Sequence, residues 1–388
     1  VSGGNVTMSQ ATTNGAGATA KSWLKSYNPS VPGDLAPLKH NSIHELLIES
    51  CMRNGPKPAF QLMGKTISYA EVERESAAIG AYLQSKGLAK GARVALMMPN
   101  ILQYPVCILG VLRAGYTVVN VNPLYTPREL EHQLKDSGAE AIIIIENFAT
   151  TLQAVLKDTP VKHIVVASMG DMLGLKGHIV NLVVRKVKKM VPAYDLPGQV
   201  KFKAALAEGR GKTLQSVAVS PSDVAFLQYT GGTTGVSKGA TLTHSNILSN
   251  IAQNSSWLKP VFDNRGLPED LTFICALPLY HIFALTVCMM MGMDLGGKNV
   301  LIPNPRDIPA FVKMISHEKL HIFPGLNTLF NALLNNEEFR KLDFKPMLLT
   351  LGGGMAVQSA VAERWQKLTG CAIHEGYGLS ETSPVASA

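Results

Sequence analysis

Near the middle of the chain the sequence reads Gln228-Tyr229-Thr230-Gly231-Gly232-Thr233-Thr234-Gly235-Val236-Ser237-Lys238-Gly239. The preceding residues 224–227 are apolar and predict a short buried strand. A strand that opens into glycines exposes a row of backbone N–H groups, because no Cβ atom keeps a ligand away. Such a nest binds phosphate oxygens, and the neighbouring hydroxyl groups and lysine add donors and positive charge. The stretch therefore predicts a nucleotide-binding loop.

The spacing of this loop argues against two common kinds of nucleotide site. A Walker A loop has a glycine, four further residues and then Gly-Lys-Ser/Thr. Here two residues separate Gly235 from Lys238, and Gly239 follows the lysine. No Gly-x-Gly-x-x-Gly opens a helix after the strand, so a Rossmann dinucleotide site is disfavoured as well.

Two alternatives to an ATP-using enzyme remain open. Residues 235–239 match Gly-x-Ser-x-Gly, the nucleophile elbow of serine hydrolases, with Ser237 as the nucleophile. An elbow needs a sharp turn into a helix after the serine, whereas residues 239–243 predict an extended strand. The elbow also leaves residues 230–234 without a role. The other alternative is a module that binds a nucleotide or a lipid without turnover.

Three motifs, in order along the chain, resemble those of the adenylate-forming acyl-CoA synthetases. Residues 230–239 resemble the phosphate loop of that family, and Leu-Pro-Leu-Tyr-His at 277–281 resembles its motif beside the acyl channel. Glu-Gly-Tyr-Gly-Leu-Ser-Glu-Thr at 375–382 resembles its adenine and metal motif. Residues 94–100 and 121–130 look like bacterial long-chain fatty acid–CoA ligases in particular. The resemblance runs from about Trp23 to the last residue.

The alternation of strands and helices agrees with that resemblance. Near-continuous apolar runs between helix-periodic segments predict parallel sheets covered on both faces, at residues 94–98, 118–121, 141–145, 163–167, 224–227, 273–277, 300–302, 321–323, 348–351 and 372–374. The resemblance implies an α/β fold of two mostly parallel sheets flanked by helices, which is the large N-terminal domain of adenylate-forming enzymes. The sequence ends soon after the third motif, so we expect the family's C-terminal lid domain to be absent.

Helix starts and domain limits follow from shorter signals. Ser42-x-x-Glu45 and Ser68-x-x-Glu71 predict capping boxes, and Thr126-Pro127 predicts a helix that ends at Gly138. Residues 1–22, poor in charge and rich in small residues, predict a disordered lead-in or a tag remnant. We assign residues 23–388 to an incomplete adenylation domain with approximate sublobes 69–215 and 220–388, separated by a loop-like stretch at 203–219.

The chemistry that the resemblance implies is attack of a fatty acid carboxylate on the α-phosphate of ATP, followed by transfer of the acyl group to coenzyme A. Both reactants of the first step are anions. Two unit charges 4 Å apart repel by about 1 kcal/mol in water and about 4 kcal/mol at an effective dielectric near 20. The site must therefore supply compensating positive charge.

The residues that could supply it lie in the three motifs. Lys238 and the loop N–H groups are candidates to hold the β- and γ-phosphates, and Glu381 with Thr230 is the candidate Mg²⁺ site. The resemblance places His281 near the acyl carbonyl. The predicted nucleotide-binding set is Tyr229, Thr230, Gly231, Gly232, Thr233, Thr234, Gly235, Ser237, Lys238, Gly239, Gly352, Gly353, Gly354, Glu375, Gly376, Tyr377, Gly378, Ser380 and Glu381, in which Tyr377 offers a flat face to adenine.

Composition limits the remaining partners. A net charge of +8 suits anionic ligands, but no nucleic-acid reader motif accompanies it, so nucleic acid is excluded as a partner. Five scattered cysteines without Cys-x-x-Cys predict reduced thiols and a cytoplasmic protein. Residues 178–190 combine apolar positions with Arg185, Lys186, Lys188 and Lys189, which predicts either a solvated helix or a contact with the inner membrane face. The sequence leaves a homodimer open.

The resemblance also implies parts that cannot be matched here. The family continues with an aspartate for the ribose hydroxyls, an arginine near a hinge, and a small domain carrying a catalytic lysine. Removing one preorganised charge from such a site costs about 10²–10³ in rate. We therefore expect this chain alone to bind ATP and fatty acid but to turn over poorly.

Overall fold

The computed structural model describes residues 21–230 and 236–387. In this part of the chain the strands are short, as buried parallel strands are. In chain order they are β1 (Pro58–Leu62), β2 (Lys65–Ser68), β3 (Arg93–Met97), β4 (Thr117–Asn120), β5 (Ala141–Ile145), β6 (His163–Ala167), β7 (Val200–Lys201), β8 (Val224–Thr230), β9 (Lys238–Thr243), β10 (Thr272–Cys275), β11 (Lys298–Leu301), β12 (Ile322–Gly325), β13 (Leu349–Gly353), β14 (Ile373–Gly378) and β15 (Val385–Ser387).

The strands form two sheets. One has the order β7-β6-β5-β3-β4-β8-β9 and the other the order β15-β14-β13-β12-β10-β11-β1-β2. Pairing is parallel except at β8–β9, β1–β2 and β14–β15, which lie at the sheet edges and are antiparallel. The predicted architecture of two mostly parallel sheets is therefore confirmed. Each of the ten predicted runs overlaps a strand, whereas the strands β1, β2, β7 and β15, at or next to the sheet edges, were not predicted.

Helices cover both sheets. They are α1 (Ile43–Asn54), α2 (Tyr69–Gln84), α3 (Gln103–Arg113), α4 (Pro127–Ser137), α5 (Ala149–Gln153), α6 (Leu175–Leu182), α7 (Phe202–Arg210), α8 (His244–Arg265), α9 (Ile282–Ala284), α10 (Met291–Asp294), α11 (Ile308–Ile315), α12 (Asn327–Leu334) and α13 (Ser359–Thr369). Two π-helical segments, Val183–Val187 and Leu285–Met290, follow α6 and α9 directly.

The predicted helix signals act where expected. Ser68 and Glu71 form a complete capping box, and α4 has a second one at its start, with proline at its first turn and Gly138 in the left-handed conformation at its end. At α1 the Ser42 hydroxyl accepts the Glu45 N–H, while the Glu45 carboxylate accepts the N–H of the preceding residue 41 instead. Sequence signals alone therefore located three helix starts.

The stretch 203–219 is not a loop throughout, because its first part forms α7. Phe202, Ala205 and Leu206 are buried, and α7 packs on α2. A Cβ atom at Gly209 would lie 1.9 Å from the Ala78 carbonyl oxygen, so this glycine permits the close approach of two helices rather than a turn. The prediction of a loop is therefore wrong for residues 203–210, because a glycine that admits a neighbouring helix looks the same in sequence as one that turns the chain.

The division between the sheets does not follow the predicted sublobes. The β8–β9 hairpin comes after residue 220 yet joins the sheet of β3 to β7, and β1 and β2 precede residue 69 yet join the other sheet. The chain thus crosses between the sheets more than once. The sublobes 69–215 and 220–388 stay a prediction about folding units rather than about sheets.

The longest apolar stretch, residues 282–293, is mostly buried between the sheets and the helices that cover them. It comprises α9, the second π-helical segment and the start of α10. Within residues 21–230 and 236–387, no helix combines the length and the apolar character needed to cross a bilayer.

Candidate active site

The base of the predicted phosphate loop is a hairpin. Thr230 at the end of β8 pairs with Lys238 at the start of β9. The Ser237 hydroxyl donates to the Thr230 carbonyl oxygen at 2.8 Å, which closes the two strands across the loop's base. Gly231, Gly232, Thr233, Thr234 and Gly235 lie outside the described residues. The structure therefore brings the two ends of the predicted loop together.

Helix α4 supports this hairpin. His132 Nε2 lies 2.8 Å from the Ser237 carbonyl oxygen, and the Tyr229 hydroxyl donates to Asp136 at 2.5 Å. Burial, with Asp136 beside it, raises the pKa of Tyr229. A Cβ atom on Gly239 would lie 2.9 Å from the Tyr229 ring, so glycine is required there for contact with that ring. Tyr229 and Gly239 thus shape the hairpin, and the Tyr229 side chain is already engaged with α4.

The same hairpin places a second motif beside the loop. Ser380–Thr382 form a 3₁₀ turn that lies against β8 and β9, so Glu381 is on an element adjacent to the strands of Thr230 and Lys238. The Thr382 hydroxyl donates to the carbonyl oxygen of residue 384 and accepts the N–H of residue 379 at 2.9 Å. Asn250 on α8 donates to the Val385 carbonyl at 2.8 Å and so holds the segment that follows the turn. Ser380 is buried, and Glu381 is exposed.

The glycines 352–354 end β13 at the same side of the sheet. Gly352 pairs with Glu375 and Gly353 with Gly376, so the two motifs run side by side. The Glu375 carboxylate accepts the Val357 N–H at 2.9 Å and holds the loop that follows β13. Gly354 has φ +75°, a conformation that favours glycine.

Two glycines of the third motif differ in their surroundings. A Cβ atom on Gly378 would lie 2.0 Å from the Pro384 carbonyl oxygen, because the chain before β15 packs tightly there, whereas one on Gly376 would meet none of the described atoms within 4 Å. Tyr377 between them is 65% exposed. An open flank at Gly376 and a free aromatic ring at Tyr377 are what a flat ligand requires.

His281 comes from the loop after β10. It caps α9, where its Nδ1 accepts the Phe283 N–H at 3.4 Å. Desolvation by the surrounding protein lowers the pKa of His281 and so favours the neutral imidazole, although the residue is exposed. A Cβ atom on Gly353 would lie 3.0 Å from the Phe283 ring, so the His281 loop and the end of β13 touch.

A buried polar chain, which the sequence did not reveal, joins the first sheet to the His281 loop. Tyr104 donates to Asn120 at 2.6 Å, Asn120 donates to Gln228 at 3.0 Å, and Gln228 donates to the Tyr280 carbonyl oxygen at 2.5 Å. The three amide and phenol side chains are almost fully buried. The residue before His281 is therefore held by the strand that leads into the phosphate loop.

Asn100 makes a second connection between the sheets. Its amide donates to the carbonyls of Cys275 at 3.0 Å and Leu277 at 2.8 Å, and its oxygen accepts the Leu279 N–H at 2.8 Å. Asn100 follows β3, whereas Cys275 ends β10 of the other sheet and residues 276–279 follow it. This one side chain shapes the loop that carries His281.

A signal for these residues exists in the sequence. Asn100 and Asn120 follow or end apolar runs, and Gln228 is the polar residue of an apolar strand. Carboxyl ends of parallel strands converge on the ligand site of an open α/β sheet, so polar residues there are candidates for positioning roles. Polar residues at strand ends, rather than motif matches, would have located them.

A multi-ligand metal cage is not present in the described part of the chain, since no group of three His, Cys, Asp or Glu side chains is placed to hold an ion. Glu381 nevertheless fits a Mg²⁺ ion that takes its remaining ligands from phosphate and water, as Mg²⁺ at nucleotides does. Among the described residues, no cation forms a salt bridge with its carboxylate.

The geometry at Ser237 differs from the nucleophile elbow that the serine-hydrolase alternative requires. Ser237 leads directly into the strand β9, not into a helix. Its hydroxyl donates to a backbone carbonyl, and the nearby His132 contacts its carbonyl oxygen rather than the hydroxyl. No base is thus positioned to activate Ser237 among the described contacts.

A cleft of about 480 Å³ lies elsewhere, at the amino ends of β3, β4 and β8. None of the predicted site residues that the structure describes lines it. Its charged groups are already engaged: Lys90 pairs with Asp223 at 2.7 Å, and Arg93 donates to the Ser137 carbonyl at 2.8 Å. Ligands of open α/β sheets bind at the opposite, carboxyl ends of the strands.

Comparison with known proteins identifies the family of the chain. The sequence profile described as AMP-binding enzyme matches residues 47–388. The chain is 51% identical over 369 residues to a long-chain-fatty-acid–CoA ligase of Escherichia coli and 52% identical to one of Salmonella typhimurium; each match covers 95% of this chain and 65% of the relative. The chain therefore spans less than two thirds of the length of these relatives.

Solved structures support the fold. A long-chain-fatty-acid-CoA ligase from Archaeoglobus fulgidus superposes with a TM-score of 0.73 at 22% identity, covering 90% of this chain and 66% of that one. At this identity the likeness concerns the fold alone. The match of a family profile to most of the sequence, together with the two sheets and the motifs at their carboxyl ends, shows that this chain belongs to the AMP-binding enzyme family.

Proposed function

We propose that this chain binds ATP and a long-chain fatty acid and takes part in forming the acyl-adenylate, in a protein that then transfers the acyl group to coenzyme A. The observation that carries the proposal is the meeting of three elements at the carboxyl ends of parallel strands. These are the β8–β9 hairpin, the 380–382 turn beside it, and the His281 loop in contact with the end of β13. The names of relatives that are 51–52% identical support the choice of a long-chain acid.

In this proposal each element has a separate task. Lys238 and the N–H groups of the loop hold the β- and γ-phosphates and offset the negative charge of the two anionic reactants. Tyr377 stacks on adenine, and the Ser380 hydroxyl faces the α-phosphate. Glu381 and Thr230 would hold Mg²⁺, which when bound supplies charge neutralisation at the phosphates.

The proposed task of His281 depends on its protonation state. Because desolvation lowers its pKa, the neutral imidazole is favoured at pH 7 and can donate one hydrogen bond without adding a full charge beside the carboxylate. Its loop is held in place by Asn100 and by the Gln228 chain. We propose that this fixed histidine orients the acyl carboxylate towards the α-phosphate.

Calorimetric titration tests the proposal with two ligands, ATP with Mg²⁺ and a non-hydrolysable palmitoyl-adenylate mimic. The mimic has no β- or γ-phosphate. Lys238→Ala should therefore weaken ATP binding by about 10–100-fold, as expected for one charge-assisted hydrogen bond, and weaken mimic binding much less. Tyr377→Ala should weaken both ligands by about 10-fold or more, the usual value of one base–aromatic stack.

Lys345→Ala is the matched control, because Lys345 is exposed and lies far along the chain from the three motifs. It should bind both ligands as the unmodified chain does. If Lys238→Ala weakened ATP and the mimic equally, the assignment of Lys238 to the outer phosphates would be wrong. If neither ligand bound to the unmodified chain, the proposed role of this chain in ATP and acyl binding would fall.

Acyl length, subunit association and location are separate parts of the proposal. A series of mimics from C8 to C18 measures the preferred length, and the long-chain assignment predicts tightest binding at C16 or C18. Sedimentation velocity tests the homodimer. The cytoplasmic assignment rests on the free cysteines, of which four are buried and one is half-buried, and it predicts that all five react with a thiol reagent after denaturation without prior reduction.

A further inference from the structure

One surface of the molecule, far from the candidate site, exposes large apolar side chains in a row. Five residues of α6 and the segment after it are between 54% and 88% exposed: Leu175, Ile179, Leu182, Val187 and Met190. Large exposed apolar groups that are contiguous, rather than scattered singly, mark an interaction surface. We call this set the apolar row.

The apolar row is continuous because the helix changes its winding. Leu175, Ile179 and Leu182 are spaced by four and three residues, which places them on one face of an α-helix. The next α-helical position on that face is residue 186, a lysine. Instead Val183–Val187 form a π turn, closed by the Lys188 N–H donating to the Val183 carbonyl at 2.8 Å, and this five-residue step returns Val187 to the face of Leu182.

Positive charge surrounds the apolar row. Residues 172–194 contain no aspartate or glutamate, but they include Lys176, Lys186, Lys188 and Lys189. No described carboxylate forms a salt bridge with any of the last three, and all three are exposed. Lys176 donates to the Met63 carbonyl at 2.7 Å and so ties α6 to the β1–β2 turn.

Arg185, which the sequence analysis grouped with Lys186, Lys188 and Lys189, points towards the body of the protein instead. Its guanidinium makes two-pronged contact with the buried Glu146 at 2.8–3.1 Å and donates to the Ser168 hydroxyl at 2.8 Å. The opposite face of α6 is also anchored, since Asn181 accepts the Gly170 N–H at 2.7 Å and Gly170 and Gly177 approach too closely for any side chain. The apolar row is therefore held outward on a fixed element.

The apolar row also lies away from the candidate site. Helix α6 follows β6, next to the edge of its sheet opposite β8 and β9, and Lys176 contacts the β1–β2 edge of the other sheet. That edge is opposite β14 and β15. Binding at this surface would leave the three motifs accessible.

We propose that the apolar row and its lysines form a docking surface for an anionic lipid bilayer. The apolar side chains would enter the boundary between headgroups and acyl chains, and Lys186, Lys188 and Lys189 would contact lipid phosphates. A second copy of this chain fits less well, because a two-fold contact through the row would bring the same lysines together without any carboxylate in residues 172–194 to offset them.

Vesicle co-sedimentation tests the proposal with the full chain. Vesicles of phosphatidylcholine with 30% phosphatidylglycerol should bind it, pure phosphatidylcholine should bind it at least tenfold more weakly, and 0.5 M NaCl should reduce binding to the anionic vesicles. Each lysine near an anionic surface changes affinity by about fivefold, so the triple change Lys186→Gln, Lys188→Gln, Lys189→Gln should weaken binding on the order of 100-fold.

A second variant tests the apolar contribution. Ile179→Asn with Leu182→Asn removes two exposed side chains and should also abolish measurable vesicle binding, with an unchanged melting temperature because neither side chain is buried. The matched controls are Lys313→Gln, Lys345→Gln, Lys367→Gln, which remove the same charge from exposed positions elsewhere, and Met52→Asn, which removes an exposed apolar group from α1. Both controls should bind vesicles as the unmodified chain does.

The outcomes separate this surface from the candidate site. Loss of vesicle binding in both the lysine variant and the Ile179/Leu182 variant, with ATP binding intact, supports the proposal whatever the activity of the chain. Equal weakening by the control lysine triple would mean that overall charge, not this surface, drives binding. Absence of binding to anionic vesicles overturns the proposal, as does concentration-dependent self-association that the Ile179/Leu182 variant abolishes.

Discussion

Gln228 permits a quantitative test of how the first sheet holds the His281 loop. Replacing it by methionine keeps its length but leaves the Tyr280 carbonyl and the Asn120 amide without the partners they have at 2.5 and 3.0 Å. Each stranded buried group costs about 1–3 kcal/mol. We therefore expect Gln228→Met to lower the free energy of unfolding by about 2–6 kcal/mol, measured by urea denaturation.

A double-mutant cycle makes this reasoning specific. Asn120→Leu strands the Tyr104 hydroxyl and the Gln228 carbonyl oxygen, so the two single changes together strand four groups. The double variant strands two, because the Asn120–Gln228 pair disappears as a unit. The double variant should therefore be less destabilised than the sum of the singles by about 2 kcal/mol.

The control is Gln366→Met on the exposed face of α13, which should change stability by less than about 0.5 kcal/mol. Because the Tyr280 carbonyl precedes His281, Gln228→Met should also weaken binding of the palmitoyl-adenylate mimic. Additive single effects, or a Gln228→Met cost no larger than the control's, would refute the account of a connected chain.

Three further predictions follow from other contacts. Gly378→Ala places a Cβ atom 2.0 Å from a main-chain oxygen and should cost about 2 kcal/mol or more, while Gly376→Ala, two residues away with open space, should cost less than about 0.5 kcal/mol; a comparison of melting curves that finds both equal would contradict this. Arg185→Ala leaves the buried Glu146 carboxylate unpaired and should destabilise by about 2–3 kcal/mol in urea, somewhat below the range for fully buried pairs because Arg185 is partly exposed, yet vesicle binding should persist under folding conditions. Burial first, and a neighbouring histidine second, lower the pKa of His244 to about 4, so the unfolded chain takes up a proton between pH 6.5 and 4 that the folded chain does not. Stability should therefore be full above pH 6.5 and fall by about 3 kcal/mol on acidification through that window, and His244→Asn should remove that part of the pH dependence.

Much of the fold could be predicted because the decisive signals are local. Near-continuous apolar runs such as 141–145 have few alternatives to a buried parallel strand, and Thr126-Pro127 with Gly138 defines both ends of α4. The stretch 203–219 was misread because a glycine has two uses, turning the chain and admitting a neighbouring helix. Only the position of Ala78 relative to Gly209 distinguishes them, and that is a tertiary fact.

The candidate site likewise contains residues that the sequence could nominate and residues that it could not. Lys238 and Glu381 stand within motifs whose residue types already indicate phosphate and metal, so sequence could nominate them. The roles of Asn100, Asn120 and Gln228 depend on which strands become neighbours in space. Arg185 lies in a π-helical segment that no side-chain pattern predicts, and from there it contacts Glu146. Pairings between residues distant in the chain therefore account for most of what was not foreseen.

The connection that Asn100 makes between the two sheets has a consequence for chimeras of this domain with its relatives. Its partner atoms at 2.8–3.0 Å on residues 275, 277 and 279 are main-chain atoms, present whatever side chains those positions carry, and the Cys275 Sγ adds a longer contact at 3.7 Å. A chimera that takes residues 21–220 from one parent and the remainder from another would keep this connection, provided that the first parent supplies asparagine there and the second keeps the loop length. The side chains of the loop after β10 can thus vary while one amide continues to align that loop with the first sheet.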